Sequence, residues 1–249
     1  MNIAITAPKR LYQEIGLALQ ERIQSDEFKI GDRLPPERDI AEEMEVSRSV
    51  VREAIIMLEL QGLVEVRKGS GVYVNAKPSA DAQQSQLATL RANSDIGPFE
   101  LLQARQVLES QIASFAAMHV TKNDIGRLRE ALDTERQQLE TGHGDYDGDE
   151  LFHLTIAEAS QNSVLSDIVK DLWMRRDESS MWRQLHSRIT NMNYRTAWLD
   201  DHEKVLLALQ RRDPEGAREA MWQHLENVKQ TLFELSDVDD PQFDGFLFR

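Results

Sequence analysis

The chain has 249 residues, 41% of them hydrophobic, enough for one large domain or two ordinary domains with their own cores. It contains no cysteine, which excludes disulfide staples and thiolate metal sites and fits a reducing compartment. Taken alone, the formal net charge of −14 argues against a nucleic-acid partner, and no apolar run approaches the ~18 residues of a membrane span.

The N-terminal residues show no basic stretch followed by an apolar run, so no signal peptide is expected and the chain reads as cytoplasmic, without a membrane partner. A first helix is predicted over 10–25, where Leu11, Ile15, Leu19 and Ile23 repeat at i+4. Gly31 ends that region. Pro35 and Pro36 suit the opening of a second helix, because its first turn leaves N–H groups unused. Ile40, Ala41 and Met44 form its apolar stripe. Ser47 is the predicted N-cap of a third helix, with Val51, Ala54, Ile55 and Leu58 facing inward and Arg48, Ser49 and Arg52 on other faces. Gly62 stops it. Residues 63–66 and 71–74 alternate as short strands around Arg67-Lys68-Gly69-Ser70, a hairpin with a basic tip. Helix, turn, helix and hairpin in that order are the grammar of a winged helix-turn-helix, assigned here to residues 1–75.

Residues 76–97 have no aromatic side chain and read as a linker. Beyond it helix patterns dominate, over 98–119, 122–141, 147–160, 162–176, 179–190, 193–211 and 214–236. The last opens on Asp213-Pro214, a cap followed by a proline at the first helical position. The fold class is therefore mostly α: an N-terminal winged helix-turn-helix and, over 98–236, an all-α bundle of six to seven helices for effector binding and dimerisation. An acidic then aromatic tail occupies 237–249.

The acidity is uneven. Residues 1–77 hold 11 basic and 13 acidic residues, a net of −2, and the rest holds 18 and 30, a net of −12. Within 46–77, five cations face three acids, a net of +2. A small basic surface suffices for DNA, since phosphate contacts act within about a Debye length, ~8–10 Å.

A helix fits the major groove and reads bases from its N-terminal end. Arg48, Ser49 and Arg52 are the candidate readers, with Ser47 at the entry. Arg38 is placed to hold a phosphate, and Lys68 and Gly69 to lie along an adjacent groove. The competing reading is a small α/β domain whose arginines only carry charge on a solvated face.

Three of the six histidines lie in apolar stripes of the later helices: His153, one turn after Asp149; His202, in the row Trp198, Val205, Leu209; and His224, in the row Ala217, Met221, Leu225, Val228. Asp149 and the three imidazoles make an N3O set that suits Zn²⁺, or Ni²⁺ or Mn²⁺. The competing reading is three hydrogen-bonded core histidines, and His186 lies in a similar stripe.

Residues 10–77 resemble the DNA-binding domain of the GntR family of bacterial regulators, through Leu11-Tyr12, Gly31-Asp32-Arg33-Leu34-Pro35-Pro36-Glu37-Arg38, Val46-Ser47-Arg48-Ser49-Val50-Val51-Arg52-Glu53-Ala54 and Gly69-Ser70-Gly71-Val72-Tyr73-Val74. The resemblance implies operator contacts by Arg38, Ser47, Arg48, Ser49, Arg52, Lys68 and Gly69, with residues 37–56 as the helix-turn-helix proper. Residues 99–235 are similar to the all-α effector domain of the FadR-type branch. Its metal-binding members carry Asp-x3-His and then one His on each of two later helices, which Asp149, His153, His202 and His224 match in order. His119, His143 and His186 have no place in that pattern. An arginine on the first effector helix that helps hold a carboxylate ligand is matched by Arg105, for which a surface salt bridge is the alternative. Asn162 is a further pocket candidate.

The stretches 97–105, 220–227 and 243–248 look most like repressors of hexuronate-catabolism operons. The resemblance implies fructuronate, glucuronate or galacturonate as effector. The expectation is a homodimeric, ligand-responsive repressor that reads double-stranded operator DNA with an inverted repeat and is not an enzyme. The alternative from another class is a metal-dependent hydrolase or isomerase of a sugar acid, using the Asp/His3 site with Glu150 or Glu203 as base. A third reading makes the metal purely structural.

Overall fold

A computed structural model of the chain describes residues 10–67, 69–78, 96–141, 147–189 and 194–237. Ten α-helices and one β-hairpin are present among these residues. They fall into two compact units. Among the described residues, one takes those up to Phe99, then Ser179–Arg188, then 235–237; the other takes those within Glu100–Glu178 and Ile189–Glu234. The sequence places one boundary in the linker, whereas residues 179–188 and 235–237 here join the first unit.

In the first unit, α1 (Leu11–Gln24) packs on α3 (Arg48–Leu60), and α2 (Glu37–Glu43) precedes α3 through a tight turn. The turn is closed by the Val46 N–H donating to the Ala41 carbonyl at 3.0 Å, with Glu45 in the left-handed region at φ 54°. That conformation costs roughly 1–2 kcal/mol for a residue with a Cβ, offset by burying Ile40, Ala41, Val51 and Ile55 around it. Strands β1 (Val64–Arg67) and β2 (Gly71–Val74) pair antiparallel in the register Val64↔Val74 to Arg67↔Gly71. Val64, Val72 and Val74 are buried while Glu65 and Arg67 stay exposed, the alternation of a half-buried hairpin. The segment before α2 adds to its edge, with the Leu34 N–H donating to the Val72 carbonyl at 2.8 Å. Gly71 is required where it stands: its φ is +103°, and a Cβ there would meet the Arg33 guanidinium at 2.5 Å.

Two further pieces complete this unit. Helix α8 (Ser180–Ser187), capped by Ser179 accepting from the Trp182 N–H at 3.0 Å, packs on α3, and Arg188 at its end pairs with Glu59 at 2.7 Å. Glu53 of α3 accepts the Phe99 N–H at 2.8 Å, placing a carboxylate at the start of α4 (Pro98–His119), where free N–H groups favour an anion.

The second unit is a bundle of α4, α5 (Lys122–Thr141), α6 (Asp147–Ala159), α7 (Ser163–Glu178), α9 (Tyr194–Gln210) and α10 (Pro214–Leu235). Its main core joins Ala113 and Ala117 of α4 to Leu132, Phe152, Leu209 and Met221 from the neighbouring helices. A smaller cluster packs Ile112, Ala157 and Val169 around Trp173. Asp213 caps α10 through the Gly216 N–H at 3.0 Å, as the Asp-Pro pair predicts. Helix α4 also buries Arg105 and Glu109, polar residues that a purely apolar core would exclude. No helix among the described residues is long and apolar enough to cross a membrane.

Candidate metal centre and DNA-reading helix

The first turn of α3 presents the candidate readers. Ser47 stands at its N-cap with extended dihedrals, but its hydroxyl pairs with that of Ser49 at 2.9 Å and not with a backbone N–H. Ser47 is exposed and Ser49 half-buried. Arg38 is exposed and pairs with Asp39 at 3.2 Å. Gly69 is exposed at the hairpin tip, and Lys68 lies outside the described residues. Arg48 is half-buried, its Nη2 donating to Asp237 Oδ2 at 2.5 Å with Glu37 4.0 Å away.

Arg52 corrects the expectation of an outward face. It has no exposed surface. Its guanidinium donates from Nε to both Glu37 oxygens at 3.0 Å and from Nη2 to Glu37 Oε2 at 2.5 Å. Nη1 donates to Ser236 Oγ at 3.0 Å, and Nη2 is 3.3 Å from Asp237 Oδ1. An apolar-stripe argument counts only hydrophobic side chains and so places a charged one outside. A buried partner fifteen residues upstream reverses that choice.

In the second unit, Asp149 and His153 point the same way from one turn of α6, and α9 and α10 bring His202 and His224 to meet them. All four are buried, with one ligand atom from each lying within 4.8 Å of the others. Asp149 Oδ1 is 3.4 Å from His153 Nε2 and 3.5 Å from His202 Nε2, and His202 Nε2 faces His224 Nε2 at 3.0 Å. These are close to the spacings of ligands each about 2.0–2.1 Å from one small cation. His153 Nε2 has no hydrogen-bond partner, an orphaned buried nitrogen aimed at the cluster. Three imidazole nitrogens and a carboxylate oxygen thus fit a divalent ion.

Two carboxylates that the sequence does not single out orient the imidazoles. Glu135 of α5 accepts from His202 Nδ1 at 2.8 Å. Glu109 of α4 bonds His153 Nδ1, and its other oxygen accepts from Arg105 Nε at 2.6 Å. A carboxylate on Nδ1 places the proton there and leaves the Nε2 lone pair for the cluster. Asp149, Glu109 and Glu135 against Arg105 leave two negative charges in excess when the imidazoles are neutral, the complement of a divalent cation.

The electrostatics agree with this arrangement. Burial pushes Glu109 up, but the Arg105 guanidinium and His153 outweigh it and hold its carboxyl at about 2. Burial opposes ionisation of Asp149, yet His153 and His202 hold it well below the usual carboxylate range. Burial works against charge on His153, and Glu109 and Asp149 overcome that and raise it. Burial and the neighbouring imidazoles push His224 well below its ordinary value.

Arg105 is buried beside the cluster, with its guanidinium 4.2 Å from the Trp173 ring centroid and Trp173 in turn 5.5 Å from His153. It is an internal ion pair with Glu109, not a surface salt bridge. Asn162 is exposed, and its side-chain oxygen accepts from the Val164 and Leu165 N–H groups at 3.0 and 3.3 Å. Those contacts make it the cap of α7 and give it no place among the buried residues of the cluster. His119 and His186 donate to the carbonyls one turn before them, Phe115 and Trp182, and His143 lies outside the described residues. Glu203, one of the two bases named for the enzymatic alternative, has its side chain 53% exposed and pairs with Arg136.

Residues 11–74 match the family described as bacterial regulatory proteins, gntR family, and residues 100–227 match the FCD domain. The chain is 52% identical to the Uxu operon regulator of Haemophilus influenzae, over 96% of this chain and 88% of that one. It is 49% identical to the Uxu operon transcriptional regulator of Escherichia coli, over 98% and 95% of the two chains. It is 48% identical to the Exu regulon transcriptional regulator of the same organism, over 98% and 93%.

Proposed function

The chain belongs to the gntR family of bacterial regulatory proteins, and on that premise we propose that it represses hexuronate-catabolism genes and leaves its operator when a hexuronate binds at a metal-containing pocket. It is a transcriptional regulator and not an enzyme. The observation that carries the rest is the buried Asp149, His153, His202 and His224 set, oriented by Glu109 and Glu135, in the same chain as a helix that opens Ser47-Arg48-Ser49. The Uxu and Exu names of its relatives, and its likeness to repressors of hexuronate operons, support the choice of ligand.

Each part has a task in this reading. Asp149 and the three Nε2 atoms hold the cation, for which Zn²⁺ suits the N3O set and Ni²⁺ or Mn²⁺ are the alternatives. When bound, the cation supplies Lewis-acidic charge for an oxygen of the effector. Arg105 takes the hexuronate carboxylate, a planar anion that a guanidinium grips by two parallel hydrogen bonds. Trp173 walls the guanidinium, and burial strengthens each polar contact.

On the DNA side, Arg48 with Ser47 and Ser49 reads base edges, and Arg38, Lys68 and Gly69 track the backbone. The protein acts as a cytoplasmic homodimer, and its two-fold symmetry demands an inverted-repeat operator. The effector favours release only if it binds the DNA-incompetent arrangement more tightly.

Calorimetric titration of the metal-loaded protein with fructuronate, glucuronate and galacturonate tests the ligand assignment. One of the three binds, and binding disappears on chelation. If none binds, or if chelation changes nothing, the pocket assignment is wrong.

A further inference from the structure

We propose that Asp237, with Ser236 beside it, forms a latch on Arg48 of the DNA-reading helix, so that operator DNA must displace an internal carboxylate before Arg48 can read it. This rests on the reading of Arg48 as an operator contact. Arg48 and its buried neighbour Arg52 are both engaged by the chain that follows α10. Arg48 Nη2 meets Asp237 Oδ2 at 2.5 Å, Arg52 Nη1 meets Ser236 Oγ at 3.0 Å, and Arg52 Nη2 lies 3.3 Å from Asp237 Oδ1. The pairs are 189 and 184 residues apart in sequence, so they are no by-product of local geometry.

The chemistry of the contact is that of a phosphate. A carboxylate presents two acceptor oxygens and a negative charge to a guanidinium, as a backbone phosphate does. Ser236 adds a hydroxyl and is itself fully buried. Both residues directly follow the C-terminus of α10, whose unsatisfied carbonyls carry partial negative charge and favour nearby cations. Glu37 holds Arg52 from within the reading unit, so the arginine stays paired whether or not the latch is closed. What the latch takes up is Arg48: its side chain is 37% exposed, and its Nη2 donates to Asp237.

The consequence is a lower apparent operator affinity, by the fraction of molecules with the latch open. A latch closed in about nine molecules of ten weakens binding roughly tenfold. The latch is also the direct continuation of the helix that carries His224.

The test is fluorescence anisotropy of the full-length, metal-loaded protein on DNA from its own promoter, at one fixed salt concentration. Asp237→Asn removes the charge and keeps the shape, and it is expected to bind about tenfold tighter than the wild type. Ser236→Ala should tighten binding less, in the same direction. Glu219→Gln makes the same charge change at an exposed site on α10 and should leave affinity unaltered. Arg48→Ala should lose preference for the operator. Asp237→Asn binding no tighter than wild type, while Arg48→Ala loses the operator, would overturn the latch and leave the reading helix standing. An equal gain from Glu219→Gln would also overturn it, as a general charge effect. Arg48→Ala with wild-type affinity and selectivity would overturn the reading helix itself, and the latch with it.

Discussion

Glu135 holds the Nδ1 of His202 at 2.8 Å from α5, a helix that supplies no ligand to the cluster. The contact fixes the tautomer and ring angle of His202 before any cation arrives. Such outer carboxylates are worth about 10–100-fold in metal affinity. Glu135→Ala is therefore expected to weaken zinc binding by about that factor, and Glu135→Gln, which keeps an acceptor, by less. Competition against a chelator of known affinity measures both. Equal affinities for all three proteins would remove Glu135 from the site.

Arg105 and Glu109 form a buried pair, so removing one leaves the other uncompensated. Arg105→Ala is expected to cost about 3–5 kcal/mol of stability, read from urea unfolding of the protein without effector. Adding Glu109→Gln should recover part of that loss, a coupling that a double-mutant cycle resolves. Additive losses would mean that the two side chains act independently.

Arg48 and Arg52 should separate by readout. Arg52 has no exposed surface and pairs with an equally buried Glu37, so Arg52→Ala should lower stability by about 3–5 kcal/mol. Arg48→Ala should leave the unfolding midpoint near wild type and relax base preference by about 1–3 kcal/mol at the position it reads. Lys68→Ala should instead weaken all DNAs alike and flatten the salt slope by about one unit. Unfolding curves and binding across operator variants check all three.

These cases show what the amino-acid order made legible. The helix stripes set most helix limits to within a residue or two, because burial of one face follows from 3.6-residue spacing. The Asp149–His153 pair was visible as two residues one turn apart, and His202 and His224 as polar residues inside apolar rows. Glu109 and Glu135 were not visible, since each meets its histidine across 44 and 67 residues. The i+4 step from Arg105 to Glu109 was the one local hint. Arg52 was misplaced because its buried partners, Glu37 and Ser236, are set by packing and not by the period of α3.

A cation at the cluster should stabilise the fold, since the site exists only in the folded chain. At a free concentration of 1,000 times its Kd, one bound ion contributes about 4 kcal/mol. Zinc should raise the thermal midpoint of the chelated protein, and His202→Ala should abolish the rise. A midpoint insensitive to zinc would place the ion elsewhere.

The most direct test of the account is a mobility shift on the chain's own promoter, titrated with hexuronates, for metal-loaded and chelated protein side by side. Both should bind the operator without ligand, and one of fructuronate, glucuronate or galacturonate should release the metal-loaded protein alone. Equal release from both, or retention of the operator at saturating concentrations of all three, would contradict it.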